Sequence, residues 1–398
     1  VRTLSLFLFA ALTAAAQNRA ILNDIPKRMQ EFVSNQTVTG AVTLVANARE
    51  VTEFDAVGMA DIEAGRPMTK DAMFQIMSMT KPVTAIGIMM LAEEGKLALR
   101  DPVEQYLPEF KGQQVVSNVG PDAGRLRTPE HPITIRDLMT HTAGIQDYPA
   151  PAEIKDYPQL MNTPLAEVVR HLAKTPLLFQ PGTQWSYSSP GIEILGRIIE
   201  VCSGMKYEEF LEQRIFKPLG MKDSVFYSTP ERIPRIAMVY VQKDGKLVRA
   251  PGTILAGDPA KYRKGSVFSA PGWGLYSTAE DLLHLYRMML GGGVYQGKRY
   301  LSEFSVHLMT EAHTKGIHPV GWMRGSDYGL AWEVVTDPLG ELNGHYQGAY
   351  GHGGAFGTQG WIDPHSGLIS ILLIQRADGG TSSLQQVFLN MAEASVEK

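Results

Sequence analysis

Ser78 and Lys81, in Ser78-Met79-Thr80-Lys81, carry the strongest chemical signal in the sequence. A serine hydroxyl attacks a carbonyl only when a base takes its proton, and a lysine is a base only when neutral. Bringing a lysine from about 10.4 to near neutrality costs about 4 kcal/mol, and burial or a helix N-terminus pushes that way. A three-residue spacing places both side chains on one helix face, one turn apart. The helix should therefore start close to Ser78. Pro82 agrees, since its missing N–H is harmless only in a first turn. Gly95 should end the helix after Glu94.

Two later segments accompany this pair. Tyr187-Ser188-Ser189 follows the turn-like Pro181-Gly182-Thr183-Gln184-Trp185-Ser186, and Gly351-His352-Gly353-Gly354-Ala355 precedes a late strand pair. In this order the motifs resemble the superfamily of class C β-lactamases, D-Ala-D-Ala carboxypeptidases and family VIII esterases. Its elements are S-x-x-K, then Y-x-N, then K-T-G or H-x-G on a strand. Phe74 to Ala85, Asp137 to Gly144, Phe216 to Met221 and Gly272 to Thr278 resemble further signatures of that superfamily, in the same order.

The resemblance implies Ser78 as nucleophile and Lys81 as its proton partner, with Tyr187 acting as base, either as phenolate or through Lys81. It implies an oxyanion hole from the backbone N–H groups of Ser78 and Ala355, each worth about 2.7–4 kcal/mol. His352, Gly353, Gly354 and Ser189 then line the substrate. Two departures bear on specificity. Ser189 stands where the superfamily often has asparagine, and a hydroxyl cannot supply both an amide donor and a carbonyl. His352-Gly353-Gly354 stands where β-lactamases show Lys-Thr-Gly, whose charge and hydroxyl hold a substrate carboxylate. Histidine is only fractionally charged near neutral pH, and Gly353 has no hydroxyl. The expectation is a carboxylesterase working through an acyl-enzyme. A D-Ala-D-Ala carboxypeptidase or penicillin-binding protein, a class C-type β-lactamase, an acyltransferase to an alcohol or amine, and an inactive binding protein of the same fold are the alternatives. The substrate is a small ester, amide or β-lactam.

The elements that must position these residues are legible in outline. Ala20 to Val33 has a helical apolar pattern at Ile21, Ile25, Met29 and Val33. Thr39 to Val45 and Val51 to Val57 read as a hairpin around Asn47-Ala48-Arg49. Helical patterns follow at Ile135 to Met139, Leu165 to Ala173, Gly191 to Cys202 and Tyr207 to Ile215. Ser277 to Leu290 reads as a helix capped by Ser277 or Thr278, with acids in its first turn. Thr358 to Ile362 and Leu368 to Ile374 form a second strand pair. Strands at both chain ends with helices between them imply one sheet built from both. The resemblance makes this an α/β (α+β), β-lactamase/transpeptidase-like fold: an antiparallel sheet flanked by helices, with an inserted, mostly helical lobe. The expected division is a signal peptide at 1–16, an α/β sheet domain at 17–100 and 236–398, and a helical lobe at 101–235. Loop-rich stretches at Lys111 to Pro132 and Lys243 to Gly274 are long enough to line or cover a site.

Composition excludes other classes. The net charge of -4, with no basic run, gives no footprint for nucleic acid. Arg2, the apolar Leu4 to Leu12 and Ala14-Ala15-Ala16 read as an export signal too short to span a bilayer, so the protein is expected to be exported to a bacterial periplasm or secreted. The single cysteine, Cys202, permits no intrachain disulfide and reads as a small buried hydrophobe. No His-Glu-x-x-His or Cys/His spacing occurs, and neither metal nor cofactor is expected. His141 reads as structural. Trp185, Trp322, Trp332 and Phe356 are aromatic candidates for an acyl pocket, with core packing their commoner fate.

Overall fold

The structure, a computed structural model, describes residues 18–117, 124–148, 160–250, 267–317, 319–320 and 324–396. The export signal, Trp322 and parts of both loop-rich stretches lie outside the described residues. In chain order the principal elements are α1 (Arg19–Ser34), β1 (Gly40–Ala46), β2 (Val51–Asp61), β3 (Arg66–Pro67) and α2 (Thr80–Glu93). Next come α3 (Ile135–Met139), α4 (Leu165–Leu172), α5 (Ser189–Ser203), α6 (Tyr207–Leu211) and α7 (Ala279–Leu290). The chain closes with β4 (Ser326–Tyr328), β5 (Glu333–Val335), β6 (Tyr350–Gly353), β7 (Gln359–Asp363), β8 (Leu368–Leu373) and α8 (Ser382–Ala394).

The strands form one antiparallel eight-stranded sheet in the order β4-β5-β6-β7-β8-β1-β2-β3. The two ends of the chain meet at its centre, where Leu44 of β1 lies opposite Ile371 of β8. Alternate residues of these strands face opposite layers. Val45, Trp361 and Leu372 pack with Leu22, Ile25 and Met29 of α1 and Phe388 of α8. Leu44, Ile362 and Ile371 face the other way, into a core shared with α2, α5 and α7. That core runs from the sheet to Ile192 and Ile199 of α5 without a break.

Local signals explain the element ends. Asn18 caps α1, its side chain accepting from the N–H groups of Ala20 and Ile21. The buried stripe of α1 is Leu22, Ile25, Met29 and Phe32, so the packed face is rotated from the expected one. Thr278 caps α7, accepting from the Asp281 N–H, with Glu280 and Asp281 in the first turn. The helix expected through Ile215 stops as regular α-helix at Leu211 and continues as one wider π turn to Phe216. α2 is buried on every side from Thr80 to Leu91, as suits a helix between the sheet and the central helices.

Candidate active site

Ser78 sits on a single 3₁₀ turn, Met77–Met79, that runs into α2. Met77 adopts φ +51°, a left-handed conformation costly for a side chain of its size. Surrounding contacts impose it. The Ile76 N–H donates to the Leu275 carbonyl, and the Ile76 carbonyl accepts from Thr358 Oγ1 at 3.2 Å. Thr80 Oγ1 donates back to the Met77 carbonyl at 2.6 Å.

One turn along α2, Lys81 is fully buried. Its Nζ lies 3.1 Å from Ser78 Oγ, 3.1 Å from Ser189 Oγ and 2.8 Å from the Gly272 carbonyl. Burial drives the amine from its ordinary 10.5 down to about 7, while Asp147 and Glu193 oppose the shift. That drop corresponds to about 5 kcal/mol against the charged form. Thr84, the next residue on this face, donates to the Pro271 carbonyl at 2.7 Å. Two successive carbonyls of the 271–272 segment are thus held against α2. Gly272 sits in a tight place: a Cβ would lie 3.1 Å from the Ser189 carbonyl oxygen and 3.2 Å from Glu193 Oε1, so these neighbours would have to give way for a side chain.

Tyr187 precedes α5, whose Ser188 cap accepts from the Gly191 N–H at 3.0 Å. The Lys81 Nζ lies 4.5 Å from the centre of the Tyr187 ring. Burial pushes the phenol well above its ordinary value, and a hydrogen bond with Ser78 works in the opposite direction. A resting phenolate is therefore disfavoured, and of the two groups the neutral Lys81 amine is the better base. His141 clamps the segment. Its carbonyl accepts from the Ser186 N–H at 2.9 Å and its Nδ1 accepts from the Ser188 N–H at 3.2 Å. The ring lies 4.5 Å from that of Tyr187, tilted by 42°, and burial holds it neutral. Its contacts are those of a support for Tyr187.

β6 supplies the opposite wall. His352 Nδ1 lies 2.6 Å from the Gly353 carbonyl, which can only accept, so this nitrogen carries the proton. Nε2 then accepts from the Tyr328 hydroxyl at 2.7 Å. Burial and the nearby Lys81 lower His352 to about 3, which keeps it neutral through the physiological range. Past it, Gly354 donates its N–H to the Thr358 carbonyl at 2.8 Å, forming the turn that carries the exposed Ala355. The N–H groups of Ser78 and Ala355 make no backbone hydrogen bond to another described residue.

The structure thus brings Ser78, Lys81, Tyr187 and Ser189 together, with His352 and Gly353 on the strand that packs against the Ser78 turn and Gly354 and Ala355 on the turn that follows it. Of the aromatic candidates, Trp185 joins the site beside Tyr187 and Tyr328, whereas Trp332 and Phe356 are core. Sequence reasoning missed Asp147, Glu193 and Tyr328. Asp147 Oδ1 accepts the Ser189 N–H at 2.8 Å. Glu193 is fully buried, and its carboxyl is pushed well above the usual range by burial, with Lys81 opposing. Its signal was present: an acid inside the apolar run Gly191-Ile192-Glu193-Ile194-Leu195, four residues after Ser189 and so on the same helix face. Among the described residues no group of His, Cys, Asp and Glu could hold a metal ion, and no helix is long and apolar enough to cross a membrane.

With this geometry in place, the chain belongs to the beta-lactamase family, whose sequence profile matches residues 25–389. It is 34% identical over 359 residues to protein Rv1367c of Mycobacterium tuberculosis, covering 87% of this chain and 88% of that one. It is 30% identical over 376 residues to the esterase EstB of Burkholderia gladioli, covering 88% and 90%. The solved structure of EstCE1, described as a hydrolase with promiscuous acyltransferase activity, superposes with a TM-score of 0.78 at 25% identity, covering 94% of this chain and 99% of that one. The fold is that of a β-lactamase-like serine hydrolase.

Proposed function

We propose that this protein is a carboxylesterase that forms an acyl-enzyme on Ser78. The observation that carries the reading is the fully buried Lys81 amine, lowered to about 7 and 3.1 Å from Ser78 Oγ. In acylation the Ser78 proton passes to the neutral Lys81 amine as Oγ bonds the ester carbonyl carbon. The Ser78 and Ala355 N–H groups receive the oxyanion. Collapse breaks the bond to the alcohol, which leaves with a proton returned from the lysine through the Tyr187 hydroxyl. Water then repeats the sequence on the acyl-enzyme, giving its proton to Lys81 and releasing the acid.

The choice of neutral esters rests on His352. A neutral ring bonded to Tyr328 and to the Gly353 carbonyl offers no charge to a substrate carboxylate. The likeness to EstB and EstCE1 points the same way. The test is a side-by-side rate assay on a short p-nitrophenyl ester and a chromogenic cephalosporin, with Ser78→Ala as blank. Fast ester cleavage with slow lactam cleavage is expected. Efficient lactam turnover would move the function to antibiotic or cell-wall chemistry, and inactivity on both without a mass adduct at Ser78 would favour a binding protein.

A further inference from the structure

The reaction above asks more of Lys81 than a lost proton: the lone pair of the neutral amine has to face Ser78. A neutral amine has two N–H groups and one lone pair, and Nζ has three polar neighbours within hydrogen-bond reach. The Gly272 carbonyl, 2.8 Å away, can only accept, so it takes one N–H. The hydroxyls of Ser78 and Ser189, both at 3.1 Å, can each donate or accept. Which of the two meets the lone pair depends on where the Ser189 hydroxyl sends its own proton.

Asp147 settles that direction. Its Oδ1 accepts the N–H groups of Ser189 at 2.8 Å and of Tyr148 at 2.9 Å, a pattern that favours the ionised carboxyl. Burial raises the carboxyl above its ordinary value, while these N–H groups, Lys81 and a hydrogen bond with the Ser189 side chain oppose the rise. An ionised carboxyl only accepts, so in that last bond the Ser189 hydroxyl is the donor. Ser189 Oγ then meets Lys81 as an acceptor and takes the second N–H. The lone pair is left for Ser78.

We propose that Asp147 is a positioning residue that acts through the Ser189 hydroxyl to turn the Lys81 lone pair onto Ser78. This rests on the reading of Lys81 as the base in an acyl-enzyme reaction and adds the group that aims it. In acylation the Ser78 proton arrives on the single open position of Nζ as Oγ bonds the carbonyl carbon. The two N–H groups already bonded to Gly272 and Ser189 stay where they are, so the amine need not rotate. A serine at position 189 requires such a partner, because a hydroxyl serves in either direction whereas an amide oxygen in its place would only accept.

The test is a double-mutant cycle on p-nitrophenyl butyrate. Asp147→Asn keeps an oxygen for the backbone N–H groups but adds an NH2 that donates, and should lower kcat about 10- to 100-fold with KM little changed. Ser189→Ala leaves both backbone bonds to Asp147 in place and should lose a similar factor, which keeps the test open if the Asp147 variant folds poorly. In the Ser189→Ala background there is no hydroxyl left to turn, so adding Asp147→Asn should change kcat less than about twofold. The rate at which diethyl p-nitrophenyl phosphate labels Ser78, followed by mass spectrometry, gives the same comparison without ester turnover. Wild-type kcat and labelling rate in either single variant, or losses that multiply in the double variant, overturn the assignment. Wild-type protein labelled at Ser78 but inert to the ester would fail the esterase reading alone, and the labelling rates of the variants would then decide for or against Asp147.

Discussion

The helix wall and the strand wall of the site treat charge in opposite ways. On the helix wall an ionisable lysine is buried at a cost, hydrogen-bonded to the hydroxyl that the proposed reaction has it deprotonate, with Asp147 and Glu193 close enough to be felt. On the strand wall His352 is held neutral by its burial and by the nearby Lys81, and Gly353 adds no charge or hydroxyl. Proton transfer needs a group poised between two states, which burial supplies by bringing Lys81 near the working pH. Substrate selection needs groups that stay in one state, and the burial of His352 supplies that. On the proposed reaction, chemistry and recognition are therefore divided between two elements, and each can be altered with the other in place.

The largest effect should come from the helix wall. Ser78→Ala is expected to lose at least roughly 10³-fold in kcat on a p-nitrophenyl ester, with unchanged circular dichroism and no acyl adduct by mass spectrometry. Retention of wild-type rates would remove the nucleophile from this wall.

Lys81→Met should cost about 10²–10⁴-fold in kcat and yet raise Tm by a few degrees. The amine is lower in the folded protein than in the unfolded chain, so the folded state is penalised increasingly as pH falls from about 10 towards about 7. Methionine removes that penalty, and the gain in Tm should be greatest at pH 7 and below. In the wild type kcat/KM should rise with pH through about 7, as Lys81 loses its proton. A flat profile across this range would assign the base elsewhere.

Converting the strand wall should change preference more than chemistry. The double variant His352→Lys, Gly353→Thr supplies the missing charge and hydroxyl and displaces the end of Gln359. The cephalosporin-to-ester ratio of kcat/KM should rise about tenfold. A ratio that does not move would mean that carboxylate capture is set by other residues.

The smallest effect tests the neutrality of the strand side. Glu333 on β5 is buried, and burial together with Glu341 raises its carboxyl to about 7. A raised acid stabilises the fold below its unfolded value, about 4.3, and loses that contribution as pH climbs to about 7. Glu333→Gln should thus melt a few degrees above wild type at pH 8.5, and the difference should shrink towards pH 4. Equal melting points at both pH values would show that Glu333 ionises as easily folded as unfolded.

Much of this organisation was legible in the residues. The Ser78-x-x-Lys81 spacing, Pro82 in the first turn, the Thr278 cap and the alternating runs around residues 358–374 act over a few neighbours, and the observed elements agree with them to within one or two residues. The order of the motifs also announced the fold, because sequence-distant signatures constrain one topology together. The rotated face of α1 was a local misreading, since Leu22 and Phe32 flank the expected stripe and only the partner sheet and α8 choose between them.

What the sequence determined by itself was the inventory: a serine with a lysine at helical spacing, a tyrosine ahead of a helical run, and a histidine with glycines ahead of a late strand pair. What only the tertiary structure decided was the state of each. The acceptor for Lys81 comes from Gly272, 191 residues along the chain, and the partner of His352 from Tyr328 on a different strand. Protonation and hydrogen-bond orientation depend on burial and on groups within a few ångströms, and chain spacing does not encode which distant groups those are.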